Sequence, residues 1–301
     1  NLAEDSEDRT SIQVNPSSVY QWLSYGLGLA FGRWDAKVSV DSLSKSFRSA
    51  FHPLPASPPG ALDRRQVASA EAETSTLLAF QYPIDVLSVG LADDDPGSKH
   101  DLTLQVHNAL TCFVGMRTGP PLANLEDVLG TPTETLREQL RTGFFSRHIA
   151  VYSRRGLKAP IYWQLATPSA SYSVWCYYHR LNRDTFFRVA RDYVTPKVDH
   201  EERKLNALRQ EADFDPSSKQ RKAIDDQETF VAELRAFKSE VNRIAPLWSP
   251  NLNDGVIINF APLWRLVPQH KPWQKECKAV WDKLVKGDYD WAHLTMHLWP
   301  E

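Results

Sequence analysis

Between Glu138 and Asp184 the chain carries no acidic residue. Seven cations fall within that run, Arg141, Arg147, Arg154, Arg155, Lys158, Arg180 and Arg183, with His148 among them. Tyr152, Tyr162, Trp163, Tyr172, Trp175, Tyr177 and Tyr178 are interleaved. Cations without carboxylates to compete for them suit phosphate contacts. Arg forks read base edges, and aromatic faces stack on splayed or flipped bases. The same residues fit a plainer reading, in which the aromatics form the core of a β-hairpin and the cations are scattered surface charges. Alternation along the run does not choose between the two.

Other constellations carry less. Residues 26–32, GLGLAFG, match a G-x-G-x-x-x-G pattern. A phosphate loop needs a strand before the glycines and a helix after them, whereas these glycines sit inside a helical pattern, where close helix packing is their expected use. His293 and His297 are four apart, as zinc ligands on a helix can be, but no Glu follows His293 to complete H-E-x-x-H. Asp254 with Glu276, Cys277 and Lys278 resembles the D…E-x-K of metal-dependent nucleases, yet the E-x-K lies in a helical pattern rather than on a strand. No metal site and no catalytic residue is assigned.

These residues need elements to hold them. Asn15-Pro16 and the spacing of Val19, Trp22, Leu23, Leu27 and Ala30 predict a helix over residues 17–31. Residues 51–60 are Pro-dense and must turn or extend. A short apolar run at 81–91 suits a strand, broken by the acidic residues 93–97. Residues 100–115 fit helix or strand equally. Two short helices are expected at 122–129 and 132–140, the second with Thr131 as cap and Glu134 completing a capping box. Residues 158–180, rich in β-branched and aromatic side chains, predict an antiparallel hairpin turning near Ser169, with both faces covered.

Val194, Val198, Leu205, Leu208 and Ala212 follow heptad spacing with Glu201 in the seam. Phe230, Leu234, Phe237, Val241 and Ile244 repeat it, and Asp215 with Pro216 stands where a cap belongs. The pattern predicts a protruding antiparallel helical hairpin, a coiled coil, over residues 183–245. Its balanced charge suits a solvated arm better than a phosphate track. Residues 246–301 hold six of the ten tryptophans. They read as a compact cap with a turn at 251–255, a strand at 256–258 and a helix at 273–286. The fold class is α+β, helix-rich with a small antiparallel sheet.

Length and composition bound the rest. A chain of 301 residues can bury a core. Its net charge of −2 supplies no global field, so any DNA-facing surface must come from local segregation. Cys112, Cys176 and Cys277 form no C-x-x-C, which leaves neither a zinc ribbon nor a disulfide framework and points to a reducing cytoplasm. No apolar run is long enough to span a bilayer, so no membrane is expected. Both ends of the sequence look like cuts in a longer protein.

Several blocks resemble the C-terminal region of large adenine-specific DNA methyltransferases of phage-defence systems. These are the BREX (PglX-like) and DISARM types, related to restriction–modification methylases of the Eco57I class. The blocks are LSYGLGLAFGRWD (23–35), FHPLP with PPG (51–60), YPID (82–85) with DDPG (94–97), FFSRHI (144–149), APIYW (159–163) through SVWCYYHRL (173–181), YVTPK (193–197), NLNDGVIINFAPLW (251–264), HKPWQKEC (270–277) and DYDWAHL (288–294). They span nearly the whole chain in the family's order.

The resemblance implies a catalytic methyltransferase domain upstream of Asn1, which would bind S-adenosylmethionine and flip the target base. It implies that residues 1–60 connect to that domain and that 61–182 hold the target-recognition part. Such an enzyme needs an [N/D/S]-P-P-[Y/F/W] loop to grip the adenine. NPS (15–17), DPS (215–217), APIY (159–162) and SPPG (57–60) all fall short. The chain as given should methylate nothing. Its expected partners are double-stranded DNA and the methyltransferase domain of the same protein. Alternatively it is an interaction module that docks other defence-system proteins through the helical hairpin and the Trp-rich cap.

Overall fold

The computed structural model describes residues 16–33, 89–118, 133–154, 157–212, 216–252 and 254–288. They form two compact units. Among the described residues, the first unit takes 16–33 and 102–144, and the second takes 89–101 and everything from 145 onward. The expected helix at 122–129, the Thr131 cap, the Pro-dense stretch, His293 and His297 lie outside the described residues.

The first unit is helical. Helix α1 (Pro16–Ala30) opens on its proline, whose missing N–H costs nothing in a first turn. Helix α2 (Leu102–Thr118) resolves the stretch that fitted helix or strand. Helix α3 (Thr133–Glu138) widens into a π-helical turn, Gln139–Phe144. Trp22, Leu23, Leu27 and Ala30 are buried as the pattern required. The glycines of 26–32 do two structural jobs. A Cβ on Gly26 would stand 2.8 Å from Val106 Cγ1 and 2.9 Å from Leu110 Cγ, so α2 packs directly on its backbone. Gly32, at φ +65°, adopts the left-handed conformation that lets α1 end, with Arg33 N–H reaching the Gly28 carbonyl at 2.7 Å.

The second unit is built around a three-stranded antiparallel sheet. Strand β1 (Leu91–Asp93) pairs with β5 (Ser173–Tyr177), which pairs with β4 (Tyr162–Ala166). A two-stranded ribbon, β2 (Ser153–Arg154) with β3 (Leu157–Lys158), precedes β4. Every residue of β4 and β5 is buried, which is why neither strand alternates apolar with polar. Strand β1 begins where the apolar run at 81–91 ends and carries the chain into the acidic stretch, so Asp93 is a strand residue rather than a breaker.

Each face of the sheet has its own cover. Cross-strand neighbours share a face, so Gln164 and Trp175 look one way, towards Phe145 of α4 (Phe145–Val151) and His270. Trp163 looks the other way, its ring 4.6 Å from Phe260 and 6.4 Å from Trp248. Phe260 in turn meets Trp273 at 5.3 Å.

The helical hairpin stands on this base. Its first arm runs through α5 (Thr185–Arg188), a π-helical turn (Val189–Val194) and α6 (Thr195–Glu211). Its second arm is α7 (Ser218–Ile244). Arg209 pairs with Glu228 and Glu202 with Arg235, so one arm's numbering falls as the other's rises, and the arms are antiparallel. Val194, Val198, Glu201 and Leu205 are buried, and Gln227, Val231, Leu234, Val241 and Ile244 face them from α7. Val231 takes the seam place assigned to Phe230, which is half-buried. Ser217, not Asp215, caps α7 through a reciprocal capping box with Gln220.

Residues 256–258 are helical, not a strand. Helix α8 (Val256–Phe260) starts after Gly255 at φ +93° and continues as a 3₁₀ turn, Ala261–Leu266. The β-branched trio favours a strand locally, but Asn259 overrides it. Its amide donates to the carbonyls of Asn251 at 2.7 Å and Gly255 at 3.0 Å, and its Oδ1 accepts from Asn251 N–H at 2.9 Å. Only a turn of helix brings those groups together. The last described helix, α9 (Lys271–Lys286), lies where the pattern put it, and Gly287 closes it at φ +76°.

Gly26→Val is expected to lower the stability of the first unit by about 1–3 kcal/mol, as overpacked cores do. Thermal unfolding followed separately by a probe in each unit checks this; the second unit should be unmoved.

Candidate nucleic-acid interface

The β4–β5 hairpin sorts charge along its length. Tyr162 pairs with Tyr177 at its open end and Ala166 with Ser173 at its turn end. Lys158 lies just before β4 and Arg180 just after β5, so both leave the sheet at the open end. Arg147 is brought to the same end by His148. The His148 ring is fully buried, and its Nε2 accepts the backbone N–H groups of Ile161 and Tyr162, both at 3.1 Å. Those two groups start β4, so the ring fastens α4 to the mouth of the hairpin. Arg147, Arg180 and Arg183 are exposed there.

The turn end is acidic. Ser169 donates from its N–H and its hydroxyl to Glu233 of α7, at 3.3 and 2.5 Å. Asp93 pairs with Val174 across β1 and β5, and Asp94 N–H donates to the Ser173 carbonyl at 2.9 Å. Lys197 is held there between Asp95 and Glu201, both at 2.7 Å. Burial works against its charge, and these two partners more than restore it, so its pKa stands above the ordinary lysine value. Glu201, the odd residue of the seam, completes the network by accepting from Gln227 at 2.7 Å. Sequence spacing flagged Glu201 but could not show that Lys197 would link it to Asp95 of the acidic loop.

The predicted site residues divide accordingly. Trp163, Tyr172 and Trp175 are fully buried and Tyr178 is 4% exposed, so these four aromatics are hairpin core, not stacking platforms. The physical reason is that a sheet covered on both faces has no aromatic surface left to offer. Trp163 Nε1 donates to the Pro160 carbonyl at 2.8 Å, and Tyr178 Oη donates to the Leu252 carbonyl at 3.1 Å. His148 is spent on the β4 backbone. Lys158 is ion-paired with Glu276 of α9. Arg183 donates from Nε to Ser249 Oγ at 2.7 Å. Arg141 is half-buried and belongs to the first unit. Arg154 lies on β2, and Arg155 falls outside the described residues. Glu276 and Cys277 sit in α9, one paired with Lys158 and the other buried, which removes the nuclease-like reading.

Among the described residues no cluster of three His, Cys, Asp or Glu is placed to hold a metal, and no helix is long and apolar enough to cross a membrane. No family model matches the chain. It is 24% identical over 271 residues to the adenine-specific methyltransferase PglX of Lacticaseibacillus casei (strain Zhang), a match that covers 86% of this chain and 20% of that relative. The chain is related to adenine-specific methyltransferases. A second such relative, BrxX of Escherichia coli O9:H4 (strain HS), is 25% identical over 143 residues, which cover 46% of this chain and 12% of the relative. The match thus spans about a fifth of the longer-matching relative.

Two buried groups give stability opposite pH dependences. Burial, with Asp95 and Asp101 nearby, pushes the Asp93 carboxyl from 3.8 up to about 7, against the pull of its hydrogen bond from Ser98. Its folded pKa is raised, so its stabilising share is full below pH 4 and is lost as pH climbs to 7. That loss is on the order of 3–4 kcal/mol. His270 runs the other way. Its Nε2 meets Gln164 Oε1 at 2.9 Å and its Nδ1 meets Ser146 Oγ at 3.1 Å, a pairing that uses one donor and one acceptor of a neutral ring. Burial lowers its pKa to about 4, so its share is present above pH 6.5 and is lost on acidification towards 4. Asp93→Asn is expected to flatten the loss of stability between pH 4 and 7, and His270→Gln to flatten the loss on the acid side. Urea unfolding at half-unit pH steps measures both.

Proposed function

We propose that this chain is a non-catalytic DNA-recognition and holding region of a larger adenine-N6 DNA methyltransferase, serving a BREX-type phage-defence system in the cytoplasm. The observation that carries the reading is the charge sorting along the β4–β5 hairpin. Exposed arginines stand at the open end, where Lys158 takes up the Glu276 carboxylate, while Glu233 and the acidic loop that follows β1 lie at the turn end. A polyanion is drawn to the first and repelled by the second. The relationship to adenine-specific methyltransferases supports duplex DNA as that polyanion. Methyl transfer and S-adenosylmethionine binding belong, on this reading, to a methyltransferase domain upstream. No step of that chemistry is assigned to residues of this chain. With its aromatics buried, the region contributes phosphate contacts and Arg readout rather than base stacking.

One observation favours a second role for the helical hairpin. Its cations are largely matched by its own acids, Arg209 with Glu228 and Arg235 with Glu202, and Phe187 near its foot is 52% exposed. Such a surface suits a protein partner, for instance another defence-system component, better than DNA.

Binding of the 301-residue chain to a labelled duplex across salt tests the main reading. Affinity should fall steeply with salt, and Arg147→Glu with Arg180→Glu should weaken binding on the order of 10-fold on every sequence and reduce the salt slope by about two. No binding at low salt would overturn it and leave the protein-docking role.

A further inference from the structure

We infer that the DNA-contacting surface extends from α4 onto the exposed face of α9, where Lys271 and Lys275 take the phosphate backbone of the same duplex. This rests on the DNA-binding reading above and adds a second, sequence-remote half to its footprint. Lys271 and Lys275, with Lys278, recur at i, i+4 and i+7, so they share one face of α9, and all three are exposed. The opposite face, Trp273, Cys277 and Leu284, is buried.

Two contacts join this face to the acid-free run. Ser146, next to Arg147, meets the ring of His270, next to Lys271, at 3.1 Å. Ser146 and Lys271 are both exposed, so the surface continues across that hydrogen bond. Further along, Lys158 and Glu276 form an ion pair one residue from Lys275. That pair consumes the carboxylate of Glu276, which follows Lys275 in α9. Asp282 is engaged by Lys278 at 2.6 Å and Glu240 by Arg243 at 2.6 Å. No carboxylate among the described residues pairs with Lys271 or Lys275. Beside them the half-exposed indole of Trp264 is flanked by Arg265 at 4.6 Å and Lys278 at 5.5 Å, which holds two further cations at the rim.

The position of these lysines argues for a ligand rather than for folding. Lys283 and Lys286 lie in the last turn of α9, where cations complement the helix dipole. Lys271 lies in the first turn, where a cation is disfavoured, and no acid offsets it there. Charge placed at a helix's unfavourable end, without an ion-pair partner among the described residues and close in the fold to exposed arginines, is suited to an anionic partner from outside. Duplex DNA is the occupant that the adjoining surface already calls for.

The dipole gives the test two readouts of opposite sign. In the 301-residue chain, Lys271→Glu with Lys275→Glu should weaken duplex binding about 10-fold and lower the salt slope by about two, while Tm stays level or rises. Lys219→Glu with Lys222→Glu, both exposed on the helical hairpin, is the matched charge control and should leave affinity within about twofold. If Arg147→Glu with Arg180→Glu weakens binding but the α9 pair behaves like the control, the extension is overturned and the DNA-binding reading survives. If the unaltered chain binds no duplex at low salt, the reading beneath both is overturned.

Discussion

Strand β5 has no free face and no free edge, and the second unit follows from that constraint. β1 and β4 take its two edges, while Phe145 and His270 cover one side and Phe260 and Trp248 lie towards the other. A strand buried on all sides must bring its own cover, because each uncovered aromatic would return a large apolar area to water. The cover arrives from both sides of the hairpin in the chain, from α4 before it and from the Trp-rich cap beyond the helical arms. Elements far apart in sequence are thereby fixed to one another through a sheet of only three strands.

The same burial decides what the surface can do. Once the aromatics are committed to the core, the polar work falls to residues at the hairpin's two ends. At the turn end, Lys197 ties the acidic loop after β1 to the root of the helical arms through Asp95 and Glu201. Asp93, buried beside them, has one oxygen on Ser98 and stays largely protonated at mildly acidic pH. At the open end, His148 turns α4 onto the start of β4 and leaves Arg147 in solvent. One hairpin thus separates an inward-looking acidic network from an outward-looking basic mouth. A net charge of −2 conceals this separation completely.

The helical arms illustrate how far local pattern reaches. Heptad spacing placed both arms and most of the seam, because apolar periodicity reports which face of a helix is buried whatever it is buried against. It misassigned Phe230, since the choice between neighbouring Phe230 and Val231 depends on the rotation of α7 against α6. The strand expected at 256–258 failed for a related reason. Val256, Ile257 and Ile258 carry a real β preference, and Asn259 with Phe260 outweighs it through side-chain bonds to Asn251 and Gly255 and through contacts with Tyr178 and Trp163.

Taken by itself, the sequence determined the helix-rich α+β class, the aromatic hairpin, the paired arms, the helical use of the glycine pattern and the family it resembles. All of these depend on spacing or on residue type within a short window. It also marked the acid-free run but left open whether its aromatics met bases or each other. Only the tertiary structure decided that. Burial is a property of what packs against a residue, and for Trp163 and Trp175 the packing partners lie on different elements of the chain. The tertiary structure likewise brought His270 against Ser146 and paired Lys158 with Glu276, 118 positions away. Charge neutralisation between remote residues leaves no periodic trace, and so no window along the sequence could have revealed it.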